Sequence, residues 1–206
     1  MFSQLANSWQ ELLMHPTTFY TILAFLLFFA FFFIFRRVQF SLHTLLTCSL
    51  MIALTIILHN LKLYHFPQGG SVTCGSLVPL ILISYRYGFS AGCFAGFIYS
   101  LVNLLQDPFI VHPLQVLFDY PFPSMCLALA AFFPAHRLSA AALGLSGKFI
   151  CHLISGIVFF ADYAPAGTSP FMYSLTVNLT YMLPEAVICL LILRLLPVNK
   201  LIKAMR

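Results

Sequence analysis

Long apolar runs, separated by glycine, proline or charged positions, dominate the chain and define its predicted elements. Seven such runs cover residues 17–35, 41–60, 76–86, 88–105, 114–133, 139–161 and 174–196. A helix needs about 20 apolar residues to cross a hydrocarbon layer of about 30 Å, so runs of this length predict transmembrane helices. The run 76–86 is too short for a regular crossing and contains Pro79. We therefore predict a short or broken helix there, shielded from lipid by its neighbours.

The composition supports a membrane protein and excludes other classes. Of the 206 residues, 61% are hydrophobic and 7% are charged, whereas soluble domains carry about 25% charged residues. A water-soluble globule, a disordered chain and a nucleic-acid-binding domain are excluded, and no room remains for a sizeable soluble domain. The sequence predicts an all-α integral membrane protein.

The six cysteines lie in or beside apolar runs, and no Cys-x-x-Cys pair occurs. We therefore expect them to be small core residues rather than disulfides or metal ligands.

Lysine and arginine positions predict the orientation. With the N-terminus outside, eight basic residues fall inside and only Lys62 falls outside, in agreement with the positive-inside rule. The inner eight are Arg36, Arg37, Arg86, Arg137, Arg194, Lys200, Lys203 and Arg206. Because basic residues follow the first run rather than precede it, we expect that run to remain as a helix instead of acting as a cleaved signal peptide. The loops 61–75, 106–113 and 162–173 are then predicted to face outward.

Four ionisable side chains lie at predicted membrane depth: Asp119, Lys148, His152 and Glu185. A charge at the bilayer centre costs about 2.5–3.5 kcal/mol on insertion scales, so each needs a partner, water or a ligand. Two interpretations stay open. The residues could line a polar cavity near the outer side that holds a small organic cation. Alternatively, Lys148 could form an ion pair with Asp119 or Glu185 that only ties helices together.

Helical spacing gathers polar and aromatic residues into two stripes. The stripes are Lys148, His152, Gly156 and Phe160, four residues apart, and Asn178, Tyr181 and Glu185, three and four apart. A carboxylate beside aromatic rings suits a cationic ring ligand, because it supplies counter-charge and acceptors while the rings offer cation–π faces. No second His or Cys follows His152 at helical spacing, so the pattern favours a structural or ligand-contacting histidine over a metal ligand.

Two further patterns concern packing and energy supply. Gly88, Gly92, Gly96 and Ser100 form a small-residue stripe that favours close helix approach inside the bundle. Residues 142–149 resemble a phosphate loop only faintly, because alanine stands at 142 and phenylalanine at 149. Any nucleotide energy would therefore come from another polypeptide.

Motifs across residues 41–196 resemble a known transporter family. They are FPQGGSVT at 66–73, SYR at 84–86, QVLFDY at 115–120 and K-x-x-x-H-x-x-x-G at 148–156, followed by Tyr173 and Asn178. Together they are similar to the thiamine-specific substrate-binding (S) component of energy-coupling factor (ECF) transporters. The resemblance implies a six-helix S-component bundle at 38–206, preceded by one extra N-terminal transmembrane helix at 1–37.

The resemblance also implies a vitamin site near the outer surface. It assigns thiamine contacts to Asp119, His152, Tyr173 and Asn178, and site-lining positions to Tyr120, Lys148 and Gly156. The outer loop 64–71 would act as a lid, with His65, Phe66 and Gln68 contributing to the site.

Two departures from the family pattern affect the ligand contacts. The family site often uses glutamate where this chain has the shorter Asp119, and it uses tryptophans for stacking. The only tryptophan here is Trp9, outside the matched region. Phe160 stands at one of the tryptophan positions, and Tyr64, His65 or Phe66 would serve the other.

The function implied is vitamin capture rather than catalysis. Asp119 would hold the aminopyrimidine of thiamine and offset the thiazolium charge, with Tyr173 and Asn178 completing the hydrogen bonds. His152 and Phe160 would line the thiazolium side. The expected partners are the ECF transmembrane coupling protein and two ATPase subunits, which use ATP, whereas this chain needs no cofactor. The expected location is the bacterial cell membrane, with the C-terminus inside.

Three other functions remain as alternatives. The first is an S component for a thiamine precursor or another vitamin. The second is a proton-coupled carrier that uses Asp119, Glu185 and His152 as a relay. The third is an intramembrane hydrolase with His152 and Asp119 as acid–base groups, for which the sequence offers no evident nucleophile.

Overall fold

The computed structural model describes residues 40–66 and 70–205. The predicted extra helix at 17–35, the segment 1–37 that contains it, and the predicted lid residue Gln68 lie outside the described residues.

Helices make up most of the described chain. They are α1 (Leu42–Asn60), α2 (Val78–Gln106), α3 (Pro113–Asp119), α4 (Pro121–Cys126), α5 (Arg137–Phe159), α6 (Pro170–Leu195) and α7 (Val198–Ala204). Two short strands, β1 (Lys62–His65) and β2 (Ser71–Thr73), form an antiparallel hairpin between α1 and α2. Turns of 3-10 helix at Leu127–Ala131 and Ala161–Tyr163 follow α4 and α5.

Local sequence signals set where the helices begin. The Ser41 hydroxyl accepts a hydrogen bond from the Thr44 backbone N–H at 3.2 Å and caps α1. Ser169 caps α6 in the same way. Such side chains satisfy backbone N–H groups that have no partner inside the helix. Proline occupies the first turn of α2, α3, α4 and α6, where its missing N–H costs nothing.

The helix α2 folds back on itself at Gly88. That glycine has φ 85° and ψ −175°, a conformation that residues with a side chain rarely adopt. A Cβ added at Gly92 would collide with the Ser84 hydroxyl oxygen, although residues eight apart in a straight helix are separated by about 12 Å. The arms 78–87 and 89–106 therefore correspond to the predicted runs 76–86 and 88–105. Pro79 lies in the first turn, so it starts the short arm instead of breaking it.

The short arm lies in the protein interior, as predicted for a segment too short to face lipid. All residues from Val78 to Ser84 are buried. Packing against neighbouring helices covers this arm, because bare backbone in hydrocarbon would be costly.

Five helical stretches in the described residues are long and apolar enough to cross a membrane. They are Leu42–Asn60, Val78–Gln106, Pro113–Ala131, Arg137–Phe159 and Pro170–Leu195. Because Val78–Gln106 consists of two arms, the described part contains six helical arms. The prediction of an all-α integral membrane protein is confirmed.

Small residues allow these arms to approach closely inside the bundle. A side chain at Gly92 would collide with Ala128, and one at Gly96 would collide with the Ser124 backbone carbonyl group. The predicted small-residue stripe therefore packs against the segment 121–131, within the bundle.

The six cysteines are free thiols. Cys74 is exposed in the loop after β2, so the prediction of a core residue is wrong at that position.

Gly96 provides a test of this packing. We expect Gly96→Ala to lower the free energy of unfolding by about 1–3 kcal/mol, because the new methyl group meets backbone that cannot move aside. Gly147→Ala is the control, since its neighbours are the side chains of Cys126 and Leu129, which can shift. Unfolding of detergent-purified protein in SDS, followed by circular dichroism, measures both. Equal losses in the two variants would contradict the packing described.

Candidate ligand-binding cavity

A cavity of about 930 Å³ lies among α1, β2, the outer part of α2, α3, α5 and α6. Small-molecule sites typically measure about 300–1,000 Å³. Nine of the eleven predicted site residues line it: His65, Asp119, Tyr120, Lys148, His152, Gly156, Phe160, Tyr173 and Asn178. The structure thus brings together side chains from a loop and three helices that are far apart in the chain.

Asp119, at the end of α3, is the acidic group at the centre of the predicted site. Its Oδ2 accepts a hydrogen bond from Gln115 Nε2 at 2.5 Å, and its Oδ1 lies 3.4 Å from His152 Nδ1. The carboxylate retains 18% exposure towards the cavity. Since a carboxylate offers about four acceptor positions, it can still accept hydrogen bonds from a ligand.

Gln115 connects this carboxylate to the loop that follows α2. Its side chain is fully buried. Its Nε2 also donates to the Phe109 carbonyl at 3.0 Å, and its Oε1 accepts from the Val111 N–H at 3.0 Å. One amide therefore fixes both the loop and the rotamer of Asp119.

Lys148 contacts histidine rather than a carboxylate. Its Nζ lies 3.2 Å from His152 Nε2. A protonated amine has no acceptor, so Nε2 must accept, and the network assigns the ring hydrogen to Nδ1, facing Asp119. In the described ranges, the ion pairs within 4.0 Å are Lys62–Asp107 and His152–Asp119. The predicted alternative of a direct ion pair between Lys148 and Asp119 or Glu185 is wrong.

Aromatic rings form two walls of the cavity. On one side, the Phe160 ring stacks on Phe109 with centroids 5.8 Å apart and planes 15° apart, and Tyr163 lies 5.7 Å from Phe160. On the other side, Tyr181 meets His152 edge to face at 6.3 Å. These rings leave a polar, ring-lined space beside Asp119.

The junction of α5 and α6 positions Asn178. Gly156 lets the helices touch, because a side chain there would collide with the Ser174 hydroxyl. The Asn178 Nδ2 donates to the Ser174 carbonyl at 2.8 Å, and its Oδ1 accepts from the Tyr181 hydroxyl at 2.7 Å. The Tyr181 ring also meets His152, and the Asn178 Nδ2 donates to the His152 carbonyl at 3.4 Å, so the residues act as one packed unit.

Tyr120 fixes the outer loop from the opposite side. Its hydroxyl donates to the Asp107 carbonyl at 2.7 Å and accepts from the Phe109 N–H at 2.8 Å. The Asp107 carboxylate pairs with Lys62 at the start of β1. The hydrogen bond from Lys62 lowers the pKa of Asp107 below its ordinary value. Exposed pairs of this kind contribute little to stability, so their main effect is to locate the loop.

The lid residues differ in their positions. His65 lines the cavity, and its Nδ1 lies 2.9 Å from the Ser71 hydroxyl oxygen. Phe66 is not among the residues that line the cavity; its ring centroid lies 6.4 Å from that of Tyr181 and 4.6 Å from that of Tyr64.

Several cavity residues were missing from the predicted site. They include Gln115, Tyr181, Phe109 and Tyr163. Gln115 lies in the QVLFDY motif and Tyr181 lies one turn from Asn178, so both had a sequence signal. Phe109 and Tyr163 belong to irregular segments, where no periodicity indicates the direction of a side chain. Across 40–66 and 70–205, no group of three His, Cys, Asp or Glu side chains converges as a metal site would require.

Comparisons with known proteins identify relatives of this chain. The model of the thiamine transporter protein family (Thia_YuaJ) matches residues 45–204. Thiamine transporter ThiT of Bacillus subtilis (strain 168) is 35% identical over 171 residues, covering 74% of this chain and 88% of that protein. ThiT of Lacticaseibacillus paracasei is 30% identical over 122 residues, covering 50% and 61% respectively.

A solved structure shows the same fold. The structure of ThiT from Listeria monocytogenes aligns with a TM-score of 0.66 at 22% identity, covering 79% of this chain and 96% of that one. At this identity, the likeness supports the arrangement of helices described above.

Gln115 provides a test of the site architecture. We expect Gln115→Leu to lower the free energy of unfolding by about 1–3 kcal/mol, because the Phe109 carbonyl and the Val111 N–H lose their buried partner. Unfolding in SDS measures the change. Gln106→Leu, at an exposed position on α2, is the matched control and should differ little from the unmodified protein. A loss no larger than that of the control would show that Gln115 does not support the loop.

Proposed function

The chain belongs to the thiamine transporter protein family, and from this premise we propose that it is the thiamine-binding S component of an ECF transporter. It is a multi-pass membrane transporter protein rather than an enzyme. The observation that carries the proposal is the Asp119 carboxylate, which faces a ring-lined cavity and has no lysine or arginine within ion-pair distance in the described residues.

Thiamine has chemical features that match this arrangement. Its thiazolium ring carries a permanent positive charge, and its aminopyrimidine carries hydrogen-bond donors. A buried carboxylate both offsets the charge and accepts hydrogen bonds, and such charge-assisted bonds are among the strongest in proteins. We therefore assign the aminopyrimidine to Asp119, with Tyr173 and Asn178 completing its contacts.

The remaining contacts follow from the walls of the cavity. Phe160 and its partner Phe109 offer aromatic faces to the thiazolium, and His152 contributes a further contact from the cavity wall. Lys148 holds His152 in the orientation that directs the Nδ1 hydrogen towards Asp119. In this assignment, Lys148 acts through His152 on the carboxylate.

Residues 142–149 depart from the phosphate-loop pattern, so transport driven by ATP would need partner subunits that bind the nucleotide. We propose that the loaded protein docks on an ECF transmembrane coupling protein and two ATPase subunits, which consume ATP. The bacterial relatives support a location in the bacterial cell membrane, and the distribution of basic residues supports an orientation with the N-terminus outside and the C-terminus inside. Thiamine would then enter from the outer side, past the hairpin β1–β2.

Removing the charge of Asp119 tests the binding assignment. We expect Asp119→Asn to weaken thiamine binding by about 100-fold or more, because the thiazolium loses its counter-charge and the amide offers one acceptor oxygen instead of two. Isothermal titration calorimetry of detergent-purified protein measures the affinity. Asp162→Asn, at an exposed outer position, is the matched control and should bind like the unmodified protein.

Competition experiments define which ligand the site takes. Displacement of labelled thiamine by unlabelled thiamine, but not by riboflavin, is the expected result. Tighter binding of the hydroxymethylpyrimidine fragment than of thiamine would identify a precursor transporter instead. Equal affinity of the Asp119→Asn and Asp162→Asn variants would refute the assignment of Asp119.

Tryptophan at position 160 should report ligand binding directly. Trp is the best cation–π partner, so we expect Phe160→Trp to raise the thiamine affinity by about two- to fivefold. In a Trp9→Phe background, its emission should change as thiamine is added. The control is Phe133→Trp, at an exposed position in the 132–136 loop between the 3-10 turn and α5. Emission that responds equally in both variants would refute the placement of the cationic ring beside Phe160.

A further inference from the structure

One buried carboxylate has no part in the contacts proposed for thiamine. Glu185 lies in the middle of α6 and is 7% exposed. Its Oε2 accepts a hydrogen bond from the Thr73 backbone N–H at 2.6 Å, and its Oε1 accepts from the Thr73 hydroxyl at 2.7 Å. Thr73 is the last residue of β2 and is 2% exposed. A single carboxylate thus joins the outer hairpin to a membrane helix.

The hairpin follows α6 along one face. Gly70 packs against the Tyr181 ring so closely that a methyl group added to this glycine would lie 2.7 Å from the nearest ring carbon. One turn further along α6, Thr73 meets Glu185, and Gly75 then packs against the side chain of Ile192. The three α6 positions are four and seven residues apart, so they share a face.

Of these three contacts, only the one at Glu185 involves a charge. Separating the hairpin from α6 would remove both hydrogen bonds from Thr73 and leave this buried carboxylate only the weak contact from the Cys189 thiol at 3.8 Å, which costs far more than exposing apolar surface of similar size. The contact between Gly70 and Tyr181 offers no comparable resistance. Hydrogen bonds to Glu185 therefore dominate the closure of the hairpin.

We propose that Glu185 is a latch that holds strand β2, and with it the paired strand β1, closed on α6 and thereby sets the residence time of bound ligand. Glu185 is a positioning residue, because it acts on the ligand through Thr73 and the hairpin. The same helix carries Asn178 and Tyr181, which line the cavity, so the hairpin and the cavity share one support. The effect on residence time rests on the proposed binding of thiamine, whereas the latch itself does not.

Hydrogen exchange of ligand-free protein tests the latch without thiamine. In Glu185→Gln, one acceptor oxygen remains for two donors. We expect exchange of the 71–75 amides to accelerate by about tenfold, the effect of losing one hydrogen bond to a charged group. Thr73→Val should accelerate exchange of the same amides by a similar factor. Thr73→Ser, which keeps a hydroxyl, should exchange them as slowly as the unmodified protein. Thr55→Val removes an equally buried hydroxyl that bonds only within α1, so it controls for general loosening.

Thiamine kinetics test the consequence for the ligand. We expect Glu185→Gln and Thr73→Val to raise the dissociation rate constant by about tenfold while the association rate constant changes less than about twofold. Thr73→Ser and Thr55→Val should dissociate at the original rate. Asp119→Asn provides the comparison, because it weakens binding without accelerating exchange of the 71–75 amides.

The outcomes separate the proposals. Unchanged hydrogen exchange of the 71–75 amides in both Glu185→Gln and Thr73→Val would overturn the latch, whatever the effect of these substitutions on thiamine binding. Weaker thiamine binding in Glu185→Gln with unchanged exchange would also overturn it, by showing that Glu185 contacts the ligand directly. Failure of the unmodified protein to bind thiamine would refute the proposed function, while the exchange measurement would still decide whether Glu185 closes the hairpin.

Discussion

The position of the Asp119 carboxylate inside a membrane bundle is the constraint on which the site depends. A charge there is costly unless polar groups compensate it. Gln115 and His152 supply two hydrogen bonds and leave part of the carboxylate facing the cavity. A direct lysine partner would have neutralised the group and closed the site. Its partial compensation supports the proposal that the cavity takes a cation.

The same polar groups also determine the geometry around the cavity. Gln115 holds the outer loop that brings Phe109 against Phe160, while Lys148 orients His152. On α6, Asn178 and Tyr181 are bonded to each other, and Glu185 connects this helix to the hairpin. The aromatic lining and the position of the hairpin consequently depend on hydrogen bonds made by residues of three helices.

Hydropathy, helix spacing and family motifs predicted much of this arrangement, but not all of it. The helical arms, the interior position of the short arm 78–87 and the packing of the glycine stripe follow from segment length and residue size. The ion pair of Lys148 with Asp119 or Glu185 was wrong, because helical periodicity places residues on a face without giving distances between helices. Cys74 was wrong because apolar neighbours in the sequence do not ensure burial in a loop. Phe109 and Tyr163 lie in segments without periodicity.

The amino-acid sequence by itself determined that the chain spans the membrane, where its helices begin, and which polar residues needed a partner or ligand at membrane depth. Those properties depend on local composition and on the cost of placing charge in hydrocarbon. Tertiary structure alone decided that His152 stands between Lys148 and Asp119 and that Thr73 satisfies Glu185. Such contacts join residues as many as 112 positions apart, and they depend on helix rotation and packing distance, to which local sequence patterns are insensitive.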